Sequence, residues 1–377
     1  MNETITLNND VATLDIERTI GILSLAYARI IAQGKKFSAF PAAMLWGQPG
    51  VGKSQAVRQI GQRIEKATGK KVHIVDVRLL LFNPIDLRGI PVANEDKTLA
   101  VWLKPKIFQM DESEDVVNIL FLDEISAAPQ SVQSAAYQIT LDRTVGEHRL
   151  PENCIVIAAG NRITDKSVAY KIPKALANRL LHFDVTTNVD SWRKWAVAHD
   201  IHPMVIGFLA FKPDHLNRFN PREDALAFAT PRSWEMVSHV LTDVSDNVDQ
   251  VYDLIKGLVG KGVASEFRTY VSFYDKLPDI ADIFAGKVVP VPKDIAVSYA
   301  IVSAMVDYAK QNKDDLPGIA NSLAYASGLP RDFQTLLIQD YLLIDEGLAK
   351  KIMAMPELAR WRAGNASLLN GASNGHR

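Results

Sequence analysis

The octapeptide GQPGVGKS, Gly47 to Ser54, fills every position of the pattern G-x-x-x-x-G-K-[ST]. Each residue type in it has a use toward phosphate. Small residues let successive backbone N–H groups turn inward around phosphate oxygens. A helix N-terminus directly after the loop adds free amide donors and the positive end of its dipole. Lys53 supplies a mobile charge for the β- and γ-phosphates, and Ser54 a hydroxyl for Mg²⁺. The residues expected around a nucleotide are Gly47, Gln48, Pro49, Gly50, Val51, Gly52, Lys53, Ser54 and Gln55. A chance glycine-rich turn has no need of the lysine, the serine and the flanking elements together.

A second chemical signal is NILFLDEIS, an apolar run ending in Asp123 and Glu124. A carboxylate at the end of a buried strand can share Mg²⁺ with the loop hydroxyl, which assigns Ser54 and Asp123 to the metal. Glu124 would then face the γ-phosphate and orient or deprotonate the attacking water. The bland alternative is two exposed carboxylates at a strand end. A kinase of small molecules needs a bound hydroxyl acceptor rather than a water-activating glutamate, so the pair favours hydrolysis. A third signal is Arg179 in KALANRLLHFDV. On its own it is either a solvated helix-end arginine or one that reaches into a chemical site.

Positioning these groups takes strands and helices in alternation. Short apolar runs occur at 42–46, 72–77, 118–122, 154–159 and 182–185. Between the first two lies a helical pattern, with Val57, Ile60, Ile64 and Ala67 spaced three or four apart and Gly69 as its stop. The alternation predicts an α/β core, a five-stranded parallel sheet with helices on both faces. Two insertions interrupt it. Residues 83–111 contain VANEDKTLAVW, read as a hairpin with a charged turn, and 141–151 read as a second hairpin around GEH. The apolar Val101, Trp102 and Leu103 either pack on their own base or grip a partner.

After about residue 189 strand signals fade and helical ones dominate. The expected organisation is a nucleotide-binding core over 1–189, a helical lid over 190–280, a C-terminal helical region over 281–363 and a disordered tail over 364–377. The tail is rich in Gly, Asn and Ser.

Bulk composition excludes several classes. Lys plus Arg is 42 and Asp plus Glu is 43, so a net charge of −1 gives no global pull toward nucleic acid or anionic membrane. The single cysteine, Cys154, rules out a disulfide within the chain and reads as a buried strand thiol in a reducing compartment. No run reaches the ~18 apolar residues of a membrane span, and no secretory signal pattern opens the sequence. The expected location is the cytoplasm. The eight histidines form no paired ligand pattern, so structural zinc is not indicated. His148 and His182 read as exposed or strand-end residues.

Taken in order, these motifs resemble the AAA+ ATPases, and within them the MoxR-type group. GQPGVGKS resembles the Walker A motif and NILFLDEIS the Walker B motif. CIVIAAGNR places Asn161 at the sensor 1 position, with Arg162 beside it read as surface. IPKALANRL resembles the segment whose arginine, here Arg179, acts in trans as a finger. ATPRSWEMV places Arg232 at the sensor 2 position. FNPIDLRGIP and the hairpin after it resemble the helix-2 insert, and LDRTVGEHRLP the hairpin before sensor 1. Leu180 stands where Phe is usual and Asn83 where Asp is common, and neither change removes a reacting group. The resemblance fades beyond about residue 280.

The resemblance implies a wedge-shaped core with a helical lid, closed into a hexameric ring with ATP between neighbours. It implies catalytic roles for Glu124, Lys53, Asn161, Arg179 and Arg232. It also implies chaperone-like remodelling or activation of a partner, in this group often one with a von Willebrand factor A (VWA) domain. Without the resemblance Asn161 could merely cap a turn and Arg232 be solvated. Trp234 and Met236 read as lid core. The competing reading is a nucleic-acid-linked NTPase motor, a restriction-type GTPase or helicase. Lys104, Lys106 and Arg149 keep it open, although nucleic acid is not otherwise indicated.

Overall fold

The computed structural model describes residues 11–165, 170 and 177–364. The sequence readings that fall on 1–10, on 172–176 ahead of Arg179 and on 365–377 lie outside the described residues. The chain divides into two compact units. One takes residues up to Asn188 together with Phe219–Asp224, the other Val189–Arg218 together with Ala225 onward.

The first unit is built on a parallel sheet. Its strands are β1 (Ala12–Asp15), β2 (Ala43–Trp46), β3 (Lys71–Arg78), β6 (Val116–Asp123), β9 (Cys154–Gly160) and β10 (Leu181–Thr186). Their order across the sheet is β1-β10-β2-β9-β6-β3, all parallel. The sheet therefore has six strands, not the five expected. The extra one, β1, is the four-residue edge segment ATLD, with two exposed and two half-buried residues. An edge strand that short buries too little to leave an apolar run. Backbone pairing holds it, from Ala12 beside Phe183 to Asp15 beside Thr186.

Alternation along the strands sends side chains to two cores. Leu45, Ile119, Phe121 and Ile157 pack with helices α1 (Ile16–Ala32) and α2 (Lys53–Thr68) on one face. Met44, Leu120, Leu122 and Val156 pack with Val132, Ala136 and Ile139 of α4 (Gln130–Asp142) on the other. On α2 the stripe Val57, Ile60, Ile64 is buried, whereas Ala67 in the last turn is exposed. The helix stops at Gly69, whose φ of 71° is one that a Cβ would oppose. Cys154 is buried, and burial pushes its thiol up to about 11, which keeps it inert.

Both insertions are hairpins. After the short helix α3 (Pro84–Arg88), β4 (Ile90–Ala93) pairs antiparallel with β5 (Ala100–Leu103), and β7 (Thr144–Val145) pairs with β8 (His148–Arg149). His148 on the second hairpin bonds through Nε2 to the Trp102 carbonyl of the first, at 2.8 Å. Trp102 is half-buried, but Ile90, Val92, Leu99, Val101 and Leu103 are exposed. Most of the hairpin's apolar surface is thus left uncovered in this chain.

The second unit is helical. Helices α5 (Val189–Ala198), α6 (Pro203–Phe211), α7 (Pro231–Asp243), α8 (Val248–Val259) and α9 (Lys261–Val271) precede residue 280. After it come α10 (Ile280–Phe284), α11 (Ile295–Gln311), α12 (Leu316–Ala326), α13 (Arg331–Ile344), α14 (Glu346–Met353) and α15 (Pro356–Gly364). One core joins helices on both sides of that point, with Phe208, Trp234 and Phe267 beside Ile301, Leu337 and Tyr341. Deep within it Arg193 of α5 faces Asp340 of α13, Nε to Oδ1 at 3.5 Å. Among the described residues, no helix is long and apolar enough to cross a membrane.

Candidate functional site

Three neighbouring strands deliver the candidate residues to one end of the sheet. Trp46, the last residue of β2, pairs with Gly160, the last of β9, and Leu122 of β6 pairs with Ala158. Gly47, Asn161 and Asp123 therefore leave the sheet at nearly one level. This carboxyl edge of a parallel sheet is where α/β folds bind ligands.

The loop from Gly47 to Gly52 turns into α2. Gly52 is the residue before the helix, with φ of 99°, a conformation that side chains other than glycine's resist. It has no side chain to cap the first turn of α2. Gly47 is needed for another reason. A Cβ there would lie 2.7 Å from the Val185 carbonyl oxygen of β10.

Lys53 is buried, and its ammonium is held within the loop. Nζ donates to the carbonyls of Gly47 at 2.6 Å and Gln48 at 3.0 Å, and to Asn161 Oδ1 at 3.0 Å. Asn161 is fixed in turn by its own N–H, which donates to Ser126 Oγ at 2.9 Å. Ser54 Oγ donates to Asp123 Oδ2 at 2.8 Å, and Asp123 Oδ1 accepts the N–H of Glu124 at 2.8 Å. A hydroxyl beside a carboxylate suits Mg²⁺, which takes few protein oxygens and keeps room for water and phosphate. Among the described residues, no cluster of three or more His, Cys, Asp or Glu could hold a metal alone.

Glu124 sits in a left-handed conformation, φ 58°, which strains a side-chain-bearing residue. Its carbonyl accepts from Ala127 N and Ala128 N, and Ile125 N is tied to Ala159 O at 3.0 Å. These bonds turn the chain sharply just past the strand. Nearby on β3, burial and then the negative charge of Asp123 raise the Asp76 carboxyl above the usual range, with Arg78 and Arg58 opposing.

The structure thus gathers Lys53, Ser54, Asp123, Glu124 and Asn161 at one end of the sheet. Arg179 is not among them. It precedes β10 at the amino end of that strand, exposed, in a cavity of about 430 Å³ that Arg143, Thr140 and residues 38–42 also line. Four strand steps of ~3.3 Å, Leu181 to Val185, separate its end of β10 from its own phosphate loop by roughly 13 Å. Arg232 is exposed in the second unit, in the first turn of α7, behind the cap Thr230, which accepts from Ser233 N at 3.1 Å. Trp234 lies in the core of that unit. Met236 does not, being 45% exposed. Two residues along a helix turn the side chain by about 200°, so it points opposite Trp234.

Three residues lack a sequence signal for what they do. Arg162, expected at the surface, pairs with Asp184 of β10, Nη2 to Oδ1 at 2.5 Å. Burial raises the Asp184 carboxyl despite that pairing. His182 accepts from Trp46 Nε1 and bonds the Ala177 carbonyl. The links to Trp46 and Asp184 join positions far apart in the chain, which no local pattern reports.

One family match covers the segment that carries this site. Residues 42–182 match the family described as "ATPase family associated with various cellular activities (AAA)". Over that segment, the sequence is similar to the AAA ATPases. No curated protein matches the chain. Among solved structures it is similar to a point mutant of Thermotoga maritima RuvB, at 14% identity over 78% of this chain and 83% of that one, TM-score 0.35. It is similar to a candidate ATPase of Cytophaga hutchinsonii, at 16% over 85% and 88%, TM-score 0.31. A third likeness is NtrX of Brucella abortus, at 14% over 85% and 67%, TM-score 0.34. These likenesses are too distant to bear on activity or partners.

Proposed function

We propose that this chain is an ATP-hydrolysing, Mg²⁺-dependent AAA+ ATPase of MoxR type, which works in a ring to remodel or activate a partner protein. The supporting observation is the junction of Lys53, Asn161, Ser54 and Asp123 at the carboxyl ends of three adjacent strands. In this reading Lys53 exchanges its loop carbonyls for phosphate oxygens, and the amides at the start of α2 hold the remaining phosphate charge. Ser54 and Asp123 would hold Mg²⁺, which would supply charge neutralisation to the transferred phosphate. Asn161 aligns the attacking water. Glu124 takes its proton as oxygen bonds the γ-phosphorus and the bridging bond to ADP breaks. The deciding experiment is phosphate release by purified protein with MgATP. Turnover that stops in Lys53→Ala supports the assignment; turnover at the native rate in that variant overturns it.

Ring assembly, with a hexamer as the form implied by resemblance, is supported by the position of Arg179. An arginine side chain spans less than that roughly 13 Å, so the proposed target of Arg179 is a phosphate brought by another subunit. Arg232, exposed in the helical unit, is the proposed sensor of γ-phosphate that couples the lid to nucleotide state. The uncovered apolar hairpin, β4 and β5, is the proposed contact surface for a partner, with a VWA-domain protein as the resemblance suggests. Partner trapping with Glu124→Gln tests this: recovery of a VWA protein supports it, and a nuclease or DNA in its place favours the nucleic-acid motor.

A further inference from the structure

Two side chains on one face of β10 reach back to the phosphate site. His182 Nδ1 accepts from Trp46 Nε1–H at 2.9 Å, and the two rings stack with centroids 6.1 Å apart and 18° between planes. A neutral imidazole that accepts at Nδ1 carries its proton on Nε2. That N–H faces the Ala177 carbonyl at 2.7 Å. Two residues further along β10, Asp184 pairs with Arg162. Trp46 immediately precedes Gly47, and Arg162 immediately follows Asn161. Gly47 and Asn161 are two of the residues that hold Lys53. Ala177 lies two residues before Arg179.

We propose that His182 is a positioning residue that couples the chain's own phosphate site to the segment carrying Arg179. Movement of the Gly47 end of the loop, as Lys53 turns from carbonyl to phosphate, shifts Trp46. His182 passes that shift to Ala177, while Asp184 and Arg162 keep β10 in register with the Asn161 loop. A Cβ at Gly47 would lie 2.7 Å from the Val185 carbonyl oxygen, so the loop also runs close beside β10 there. The occupied or empty state of one site thereby sets how firmly the arginine offered to the next site is held. This rests on the phosphate-loop reading above, but the coupling lies within one chain and needs no ring.

Hydrogen exchange of the full chain separates the two ideas. It is measured alone, with MgADP, and with Mg²⁺ and a non-hydrolysable ATP analogue. Slowed exchange over 47–54 reports nucleotide binding. Slowed exchange over 177–182 reports the coupling, by about 5- to 150-fold for one of usual size. His182→Leu, which can neither accept from Trp46 nor donate to Ala177, should keep the first response and lose the second. His182→Gln has both an acceptor and a donor and should retain both. A native chain protected over 47–54 but unchanged over 177–182 overturns the coupling and leaves the phosphate loop standing. So does a full response at 177–182 in His182→Leu. A chain unprotected at both segments overturns the phosphate-loop reading and the coupling with it.

Discussion

The hydroxyl of Ser54 donates to the carboxylate of Asp123 across 2.8 Å, joining the first turn of α2 to the end of β6. The two groups satisfy each other's hydrogen bonding. Asp123→Ala should therefore leave metal-free ATP binding near the native value and abolish the gain that Mg²⁺ adds. The loss of metal affinity should be at least roughly 10- to 100-fold, the range known for ligand-supporting groups. Calorimetric titration of ATP with and without Mg²⁺ is the measurement. An unchanged Mg²⁺ gain would remove Asp123 from the metal site.

Lys53 is the buried charge that holds the loop carbonyls together. Lys53→Ala should end nucleotide binding, read as loss of the thermal shift with MgATP. An undiminished shift places the phosphates elsewhere.

Glu124→Gln keeps the shape of the side chain and removes its basicity. Such a change should cost roughly 10²- to 10⁴-fold in hydrolysis, in the usual range for a positioned base. ATP affinity should stay within a few-fold of native. Single-turnover phosphate release beside equilibrium binding separates the two, and hydrolysis at full rate would rule Glu124 out as base.

Arg179→Ala and Glu124→Gln chains should each be inactive alone, the first by about 10³-fold or more. Mixed, the second donates an intact arginine to the intact site of the first, and some ATPase activity should return. Mixed assemblies that form, by native mass spectrometry, and stay inactive would show that Arg179 does not act across an interface.

Burial pushes the Asp340 carboxyl up to about 6, against the opposing pull of Arg193. The sign follows from proton counts. Between the ordinary carboxylate range and about pH 6, the folded state holds a proton that the unfolded state has lost. Stability then falls as pH rises through that window, by on the order of 3 kcal/mol in total. Asp340→Asn removes this titration. Urea melts should show the native chain losing ground to Asp340→Asn from about pH 4 to 6.5, and parallel pH profiles would refute the shift.

The strands of the core were legible because each buried strand is a short apolar run bounded by turn residues, as in NILFL and CIVIAA. The hairpins were legible from their charged or glycine-containing turns. β1 was not, because ATLD takes its place through backbone pairing rather than side-chain burial. Lys53, Ser54, Asp123 and Asn161 lie in local motifs, so their convergence could be anticipated. The roles of His182, Arg162 and Asp184 depend on register between strands distant in sequence. Met236 stands outside the lid core because it lies about 200° around α7 from Trp234, on the face that does not pack.

Glu124 combines a carboxylate with a left-handed backbone. Glycine at that position would relax a strain of about 1–2 kcal/mol, less the entropy that glycine adds to the unfolded chain. Glu124→Gly should thus melt no lower than Glu124→Gln, and by this argument higher, while being equally unable to activate water. A laboratory evolution scheme that ranks variants by heat resistance alone would drift toward glycine here and discard turnover. On the proposed role of Glu124 as base, folding robustness and chemistry select in opposite directions at this one residue.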